Sequence, residues 1–256
     1  MKIYLSGSTS TLGKTLISEF STRGLDIKPL VTQNQDQWRL GNSVLETDTK
    51  CFLIHLAHDR SMSLEETIVT HSKLIETFPG KVIFVSSLSA FPQTLSRYGK
   101  QKLLIEKLVL NSNGIVIKSG VMVGGELNGF TTKLRPAKIF GRNFQISLRS
   151  NRDFFWITPY EMLVDAIYNS LNSHLQGIYG VYRFLPVSFN NLVKTTFSNQ
   201  QIYFINLPDL VPVKMLEWLS NVEQLAFLDS FLSLKRDCPL ELISQWYSNS
   251  ISNNFI

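Results

Sequence analysis

The chain is 256 residues long, 44 % apolar and 18 % charged, with a formal net charge of +5; this excludes a disordered polymer and leaves room for one large core or a core plus a smaller lobe. No apolar run approaches the roughly 18 residues that span a bilayer, and "IYL" near the N-terminus is too short for a secretory signal. Two cysteines, Cys51 and Cys238, give neither a disulfide framework nor metal-ligand spacing, so a reduced, cytoplasmic protein with no metal site is expected.

In chain order, "KIYL" reads as a short buried strand, followed by a turn-rich "GSTSTLG" at positions 7–13 and the segment "GKTLISEFSTRG". There Leu16, Ile17 and Phe20 recur at helical spacing, and Gly24 is placed as a helix stop. "DIKPLV" reads as a second strand. "CFLIHLA" (51–57) and "KVIFVSS" (81–87) are unbroken apolar runs, the signature of strands covered on both faces in a parallel sheet. Helices are predicted over 64–78 and 99–112, a further strand over 114–124, and a helix over 160–171. Alternation of this kind argues for βαβ units in a doubly wound parallel sheet. The segment between the second and third strands is short and polar, so one unit there is abbreviated. Past residue 125 the alternation weakens, with Pro186, Pro208, Pro212 and Pro239 as breaks. The tail "YSNSISNNFI" is expected to be poorly ordered.

Charge is unevenly spread. Between Glu126 and Asp153 there is no acidic residue, whereas Lys133, Arg135, Lys138, Arg142, Arg149 and Arg152 all fall there. Such a stretch suits a phosphorylated ligand, and it is equally compatible with a solvated basic face.

Three short motifs carry chemistry. In a dinucleotide fold, glycines after the first strand make the tight turn, admit the pyrophosphate and let helix and strand pack closely. Gly7 and Gly13 fill the outer places here, and Ser10 stands at the middle one, its hydroxyl able to donate to a phosphate oxygen. The helix opening near Thr11 would add unpaired N–H groups. The alternative is an ordinary strand–turn–helix. The residues where a ribose-binding acid should fall are Thr32, Gln33 and Asn34, with Asp36 and Arg39 later, so a choice between NAD and NADP is not legible. Tyr98 and Lys102 lie four apart at a predicted helix start, hence on one face. A neighbouring ammonium favours the phenolate and makes such a tyrosine usable as an acid and base. The plainer reading is an exposed helix start with Lys102 paired to Glu106. Ser86 and Ser87 close the fourth strand at its carboxyl end, where ligands sit in open α/β sheets; serines also simply form turns there.

Taken in order, "GSTSTLG", "IHLAH", "FVSSLSAF" and "YGKQKLLIE" resemble the motifs of the extended short-chain dehydrogenase/reductase family, the NAD-dependent epimerase/dehydratases that act on nucleotide-sugars. The resemblance is strong to about residue 125 and looser after it. "GIVIKSGVMVGG" departs from the family's R-P-x-x-V-Y-G, with Lys118-Ser119 in place of Arg-Pro. "NRDFFWITPYEMLVDAI" is similar to the family's R-D-x-x-x-V-x-D-L-V-D-A-I with extra residues.

The resemblance implies a Rossmann-like core over 1–125 and a mixed part over 126–256 that completes the sheet and forms a smaller substrate lobe. It implies Ser87, Tyr98 and Lys102 as the catalytic set, with Ser87 also touching substrate. Gly7, Ser10, Thr11, Leu12 and Gly13 would hold the pyrophosphate of NAD or NADP, Ala57 would line the cofactor channel, and Tyr98 and Lys102 would touch the cofactor. Arg152 would meet a substrate diphosphate. The implied activity is epimerisation at C4 or reduction of a 4-keto sugar. Leu88-Ser89 stand where the dehydratases carry an Asp-Glu pair, which disfavours dehydration. A homodimer through a helix pair is what the family suggests. The rival reading is a non-catalytic nucleotide-binding or assembly protein on the same fold. Nucleic-acid binding is disfavoured because the basic stretch lacks interleaved aromatics apart from Phe140 and Phe144.

Overall fold

The computed structural model describes residues 1–30, 40, 50–124, 136–139, 141–147, 154–197, 199–206 and 239–252. Five apolar runs form parallel strands of one sheet: β1 (Lys2–Ser6), β2 (Ile27–Pro29), β3 (Cys51–His55), β4 (Lys81–Ser87) and β5 (Ile115–Ser119). A sixth, β11 (Gly177–Val181), joins from the second half of the chain, giving the spatial order β11-β5-β4-β3-β1-β2. From β1 the chain steps outward to β2 and then returns to the other flank at β3. The crevice between the carboxyl ends of β1 and β3 is therefore the topological switch point of the sheet.

Strand periodicity divides the core into two layers. Ile3, Leu5, Ile54, Ile83, Val85, Ile115 and Ile117 pack with α1 (Thr11–Thr22) and α4 (Tyr160–Leu171). Leu53, Val82, Phe84 and Val116 face the other way, against Leu74 and Ile75 of α2 (Leu64–Thr77) and Ile105 and Val109 of α3 (Arg97–Asn111). The helix starts are set by serines. Ser10, Ser63 and Ser96 each accept an N–H from the first turn, and Ser63 and Glu66 form a reciprocal capping box.

The single strand predicted over 114–124 is two. β5 ends at Ser119, and β6 (Val121–Val123) pairs instead with β10 (Ile157–Pro159). Gly120 lies at the break, where the Val121 amide turns to the Trp156 carbonyl at 2.8 Å. The remaining described strands form small sheets: β9 (Phe154–Phe155) with β12 (Val187–Ser188), and β7 (Ala137–Ile139) and β13 (Ile202–Asn206) on either side of β8 (Arg142–Ser147). α5 (Phe189–Thr196) packs near β9 through Leu192 and Val193, joined by Phe197 just past its end.

The tail departs from expectation. α6 (Leu240–Ser252) runs through most of it and docks on β11, the edge strand. Ser250 Oγ donates to the Gly180 carbonyl at 2.6 Å, Asn249 Nδ2 to that of Ile178 at 3.2 Å, and Tyr182 Oη to Ile243 O at 2.5 Å. Polar residues that read as a loose tail are the groups that satisfy this strand's backbone.

Candidate active site

The glycine loop closes the switch point. Gly7 has φ +76°, and a Cβ there would lie 2.9 Å from the Ala57 nitrogen at the end of β3. A Cβ on Gly13 would collide with the Gly7 carbonyl oxygen and lie 2.8 Å from Ser8 Cα. Both positions therefore require glycine, as a dinucleotide turn does. Ser10 behaves differently from the sequence expectation. Its hydroxyl donates to Gly7 O at 2.8 Å and accepts from Gly13 N at 3.0 Å, so it braces the loop from within instead of offering its proton outward. Thr11 opens α1, Leu12 is buried in the core, and α1 points its N-terminus at the crevice. Helix geometry leaves the first-turn amides without intrahelical acceptors, which suits an anion.

Beneath the loop lies a polar chain that the sequence reading did not single out. Ser6 Oγ is 2.6 Å from His55 Nδ1 and accepts from the amides of Leu56 and Ala57 at 3.2 and 3.3 Å. His55 Nε2 is 2.8 Å from His71 Nδ1 on α2. Burial drives the pKa of both imidazoles down, that of His71 to about 4. The signal was present in the alternation: Ser6, His55 and Ser86 share strand parity with Phe84, and so face α2 and α3.

Tyr98 sits in the first turn of α3, half-buried, two residues after the Ser96 cap. Lys102 is one turn on and inside the protein. Its Nζ donates to the Val85 carbonyl at 2.9 Å and lies 4.5 Å from the Phe84 ring centroid and 5.9 Å from that of Tyr98. Burial lowers its pKa to about 7, with Glu106 opposing that shift and Arg60 adding to it. Ser87 ends β4 with its Oγ 3.3 Å from Ser89 Oγ and accepting the Ser89 amide at 3.2 Å. Ser86 points inward to the Glu106 carboxylate, so only Ser87 of the pair reaches the edge. The surface pairing of Lys102 with Glu106 is not formed. Glu106 instead holds Lys118 at 2.5 Å, and Lys118 also donates to Ala90 O at 2.5 Å and lies 4.3 Å from the Trp246 ring.

The loop after β3 completes the surround of Tyr98. The His58 ring stands edge-to-face with it at 5.1 Å between centroids, and the Arg60 guanidinium lies 4.5 Å from its centre. Burial lowers the pKa of His58 to about 2, with smaller effects from Lys102, His71 and Arg60. Of the basic stretch, Lys138 and Arg142 are described and exposed on β7 and β8. Lys133, Arg135, Arg149 and Arg152 lie outside the described residues, as do Thr32, Gln33, Asn34, Asp36 and Arg39. Among the described residues no helix is long and apolar enough to cross a membrane.

A scan against protein-family models finds no match, and neither does a search of curated protein sequences. Solved structures do match. MoeE5 in complex with UDP-glucose and NAD is 16 % identical over 80 % of this chain and 85 % of its own, with a TM-score of 0.62. UDP-N-acetylglucosamine 4-epimerase from Bacillus cereus is 13 % identical, over 82 % and 86 %, at 0.59. The human epimerase family protein SDR39U1 with NADPH is 14 % identical, over 89 % and 88 %, at 0.62. The chain thus has the Rossmann-like α/β fold expected of it, with neighbours among short-chain dehydrogenase/reductase and nucleotide-sugar enzymes.

Proposed function

We propose that the chain is an NAD(P)-dependent enzyme that epimerises or reduces a nucleotide-sugar at a hydroxyl or keto carbon, normally C4. The observation that carries this reading is a shared edge. The glycine turn that tolerates no Cβ, Ser87 and the Tyr98–Lys102 face of α3 all lie toward the carboxyl ends of the sheet. Such a set has no purpose in a module that only binds. The solved neighbours carrying NAD, NADPH and UDP-glucose support the ligand classes.

The backbone of Gly7, Ser10, Thr11, Leu12 and Gly13 would hold the cofactor pyrophosphate, with Ala57 beside it and Lys102 toward the ribose. When bound, the nicotinamide accepts or supplies the hydride. Tyr98 takes the proton from the sugar hydroxyl during oxidation and returns it during reduction, and Ser87 hydrogen-bonds the same oxygen. Arg152, with its neighbours in 126–256, would meet the substrate diphosphate through a bidentate guanidinium contact. In this reading residues 126–256 complete the sheet through β11 and also form the substrate lobe.

Thermal-shift titration with NAD⁺, NADH, NADP⁺ and NADPH tests the first half. A ligand at 100 times its dissociation constant stabilises by about 2.7 kcal/mol, or roughly 5–10 °C in a chain of this size. Tyr98→Phe tests the second half: turnover on a panel of UDP- and dTDP-sugars is expected to vanish while the cofactor shift persists. No shift with any cofactor, in protein free of co-purified nucleotide, would favour the non-catalytic alternative.

A further inference from the structure

The loop that carries Arg60 is gripped by the two residues that flank Tyr98 on the inner side of α3. Arg97 donates to the carbonyl of Ser61 at 2.7 Å and through Nε to that of Met62 at 3.1 Å. Gln101 Nε2 reaches Met62 O at 2.6 Å and Asp59 O at 3.5 Å. Asp59 folds back on Ser61, accepting its amide at 2.8 Å and its hydroxyl at 2.6 Å. The backbone is thus fixed on both sides of Arg60, and its guanidinium lies over the tyrosine ring at 4.5 Å. A surface arginine without such support would not be held over one aromatic face.

We infer that Arg60 is a positioning residue for Tyr98, supplying the fixed positive charge that stabilises its phenolate. This rests on the reading of Tyr98 as the acid and base. A cation over an aromatic face is attracted to the ring quadrupole, and the attraction grows when the ring acquires a full negative charge. Among the described residues, His58 and Arg60 of the loop and Lys102 of α3 are set against the Tyr98 ring; Asp59 and Arg97 adjoin them, and His71 and Glu106 act on His58 and Lys102. Asp59 is engaged with Ser61, and Glu106 with Lys118. His58 stays neutral, its pKa held down by burial. Lys102 sheds its proton near pH 7, whereas a guanidinium remains charged throughout the range in which a tyrosinate forms.

The test is an ultraviolet difference titration, in which the wild-type curve minus that of Tyr98→Phe isolates Tyr98. It is repeated in Arg60→Met and Arg60→Lys, each with its own Tyr98→Phe reference. Unit charges about 4 Å apart in water interact enough to change the phenolate fraction at a fixed pH about three- to tenfold. Arg60→Met is expected to lower that fraction by this factor, and Arg60→Lys, which keeps charge but not the planar stack, by less. Cofactor-induced thermal shifts should be unchanged in both. A curve in Arg60→Met that superimposes on wild type, while Lys102→Met moves it, overturns the role of Arg60 and leaves that of Tyr98 standing. If Tyr98 of the wild type titrates together with the other tyrosines, the acid–base reading falls and the inference falls with it.

Discussion

Two lysines are buried in the same layer of the molecule, and they are handled in opposite ways. Lys118, on β5, has a carboxylate at 2.5 Å, a carbonyl and the face of Trp246 from α6. Lys102, on α3, has the Val85 carbonyl and the rings of Phe84 and Tyr98 but, among the described residues, no carboxylate in contact, and burial lowers its pKa to about 7 against the pull of Glu106. Glu106 lies one turn beyond Lys102 yet is committed to Lys118 and Ser86. A buried cation with a carboxylate is a structural joint, here tying α3, the sheet and the C-terminal helix together. A buried cation without a carboxylate in direct contact carries a desolvation cost, which Glu106 one turn away offsets only in part. The carboxylate that α3 brings into this layer is thus spent on the strand's lysine and not on the lysine of its own helix.

Lys118→Met is the strongest way to break the comparison. It leaves Glu106 in the core without its cation, and burial already pushes that carboxyl's pKa up. A loss of about 3–5 kcal/mol in chemical denaturation is expected. The double variant Lys118→Met with Glu106→Leu should recover part of it, because both charges are then gone. A single variant as stable as wild type would show that the joint is dispensable.

Lys102→Met should act in the other direction. The folded pKa of Lys102, about 7, lies below the unfolded value of 10.5, so the unfolded chain binds the extra proton between them. Wild-type stability therefore rises with pH across that window, by at most about 1.4 kcal/mol per unit from this group. Below pH 7 the full penalty is present. The variant should accordingly be the more stable protein at neutral pH, with the difference narrowing toward pH 10. Parallel curves for the two proteins would mean that Lys102 is solvated like a surface lysine.

The histidine layer sharpens the same contrast from the acid side. His71 titrates near 4 when folded and near 6.5 when unfolded. Its contribution is complete above pH 6.5 and is lost as pH falls toward 4, again at about 1.4 kcal/mol per unit at most. Denaturation midpoints measured from pH 7 to 4.5 should fall in wild type and fall less in His71→Phe.

Much of this was legible beforehand, and the reasons are specific. β4 was read at its true limits because five consecutive buried residues, Val82 to Ser86, leave no ambiguity in an apolar run. α4 was likewise read at its true limits, 160–171. The β5–β6 break was missed although Lys118-Ser119-Gly120 interrupts the apolar run, because a buried lysine and serine can also continue a strand and only the pairing shows that β6 turns to β10. The α6 tail failed for a related reason: serine and asparagine look disordered until an edge strand offers them carbonyls. That Tyr98 and Lys102 share a helix face was legible from their spacing. Arg60 and His58 were not, because a loop's approach to a helix is set by Arg97 and Gln101, whose role is a contact and not a pattern.

The smallest effect concerns Ser10, the residue that makes the glycine motif look incomplete. Its hydroxyl spans Gly7 and Gly13, so its work is capping. Ser10→Ala should cost about 1 kcal/mol and Ser10→Gly only a few tenths, the usual ranking at a helix N-cap. Neither should change the response to the cofactor that shifts wild type, because the loop's backbone, fixed by Gly7 and Gly13, would do the binding. If instead Ser10→Gly abolished that thermal shift while retaining stability, the hydroxyl would be leaving its intramolecular partners to reach the ligand. The serine would then be the site's replacement for a glycine and not merely the brace of its helix.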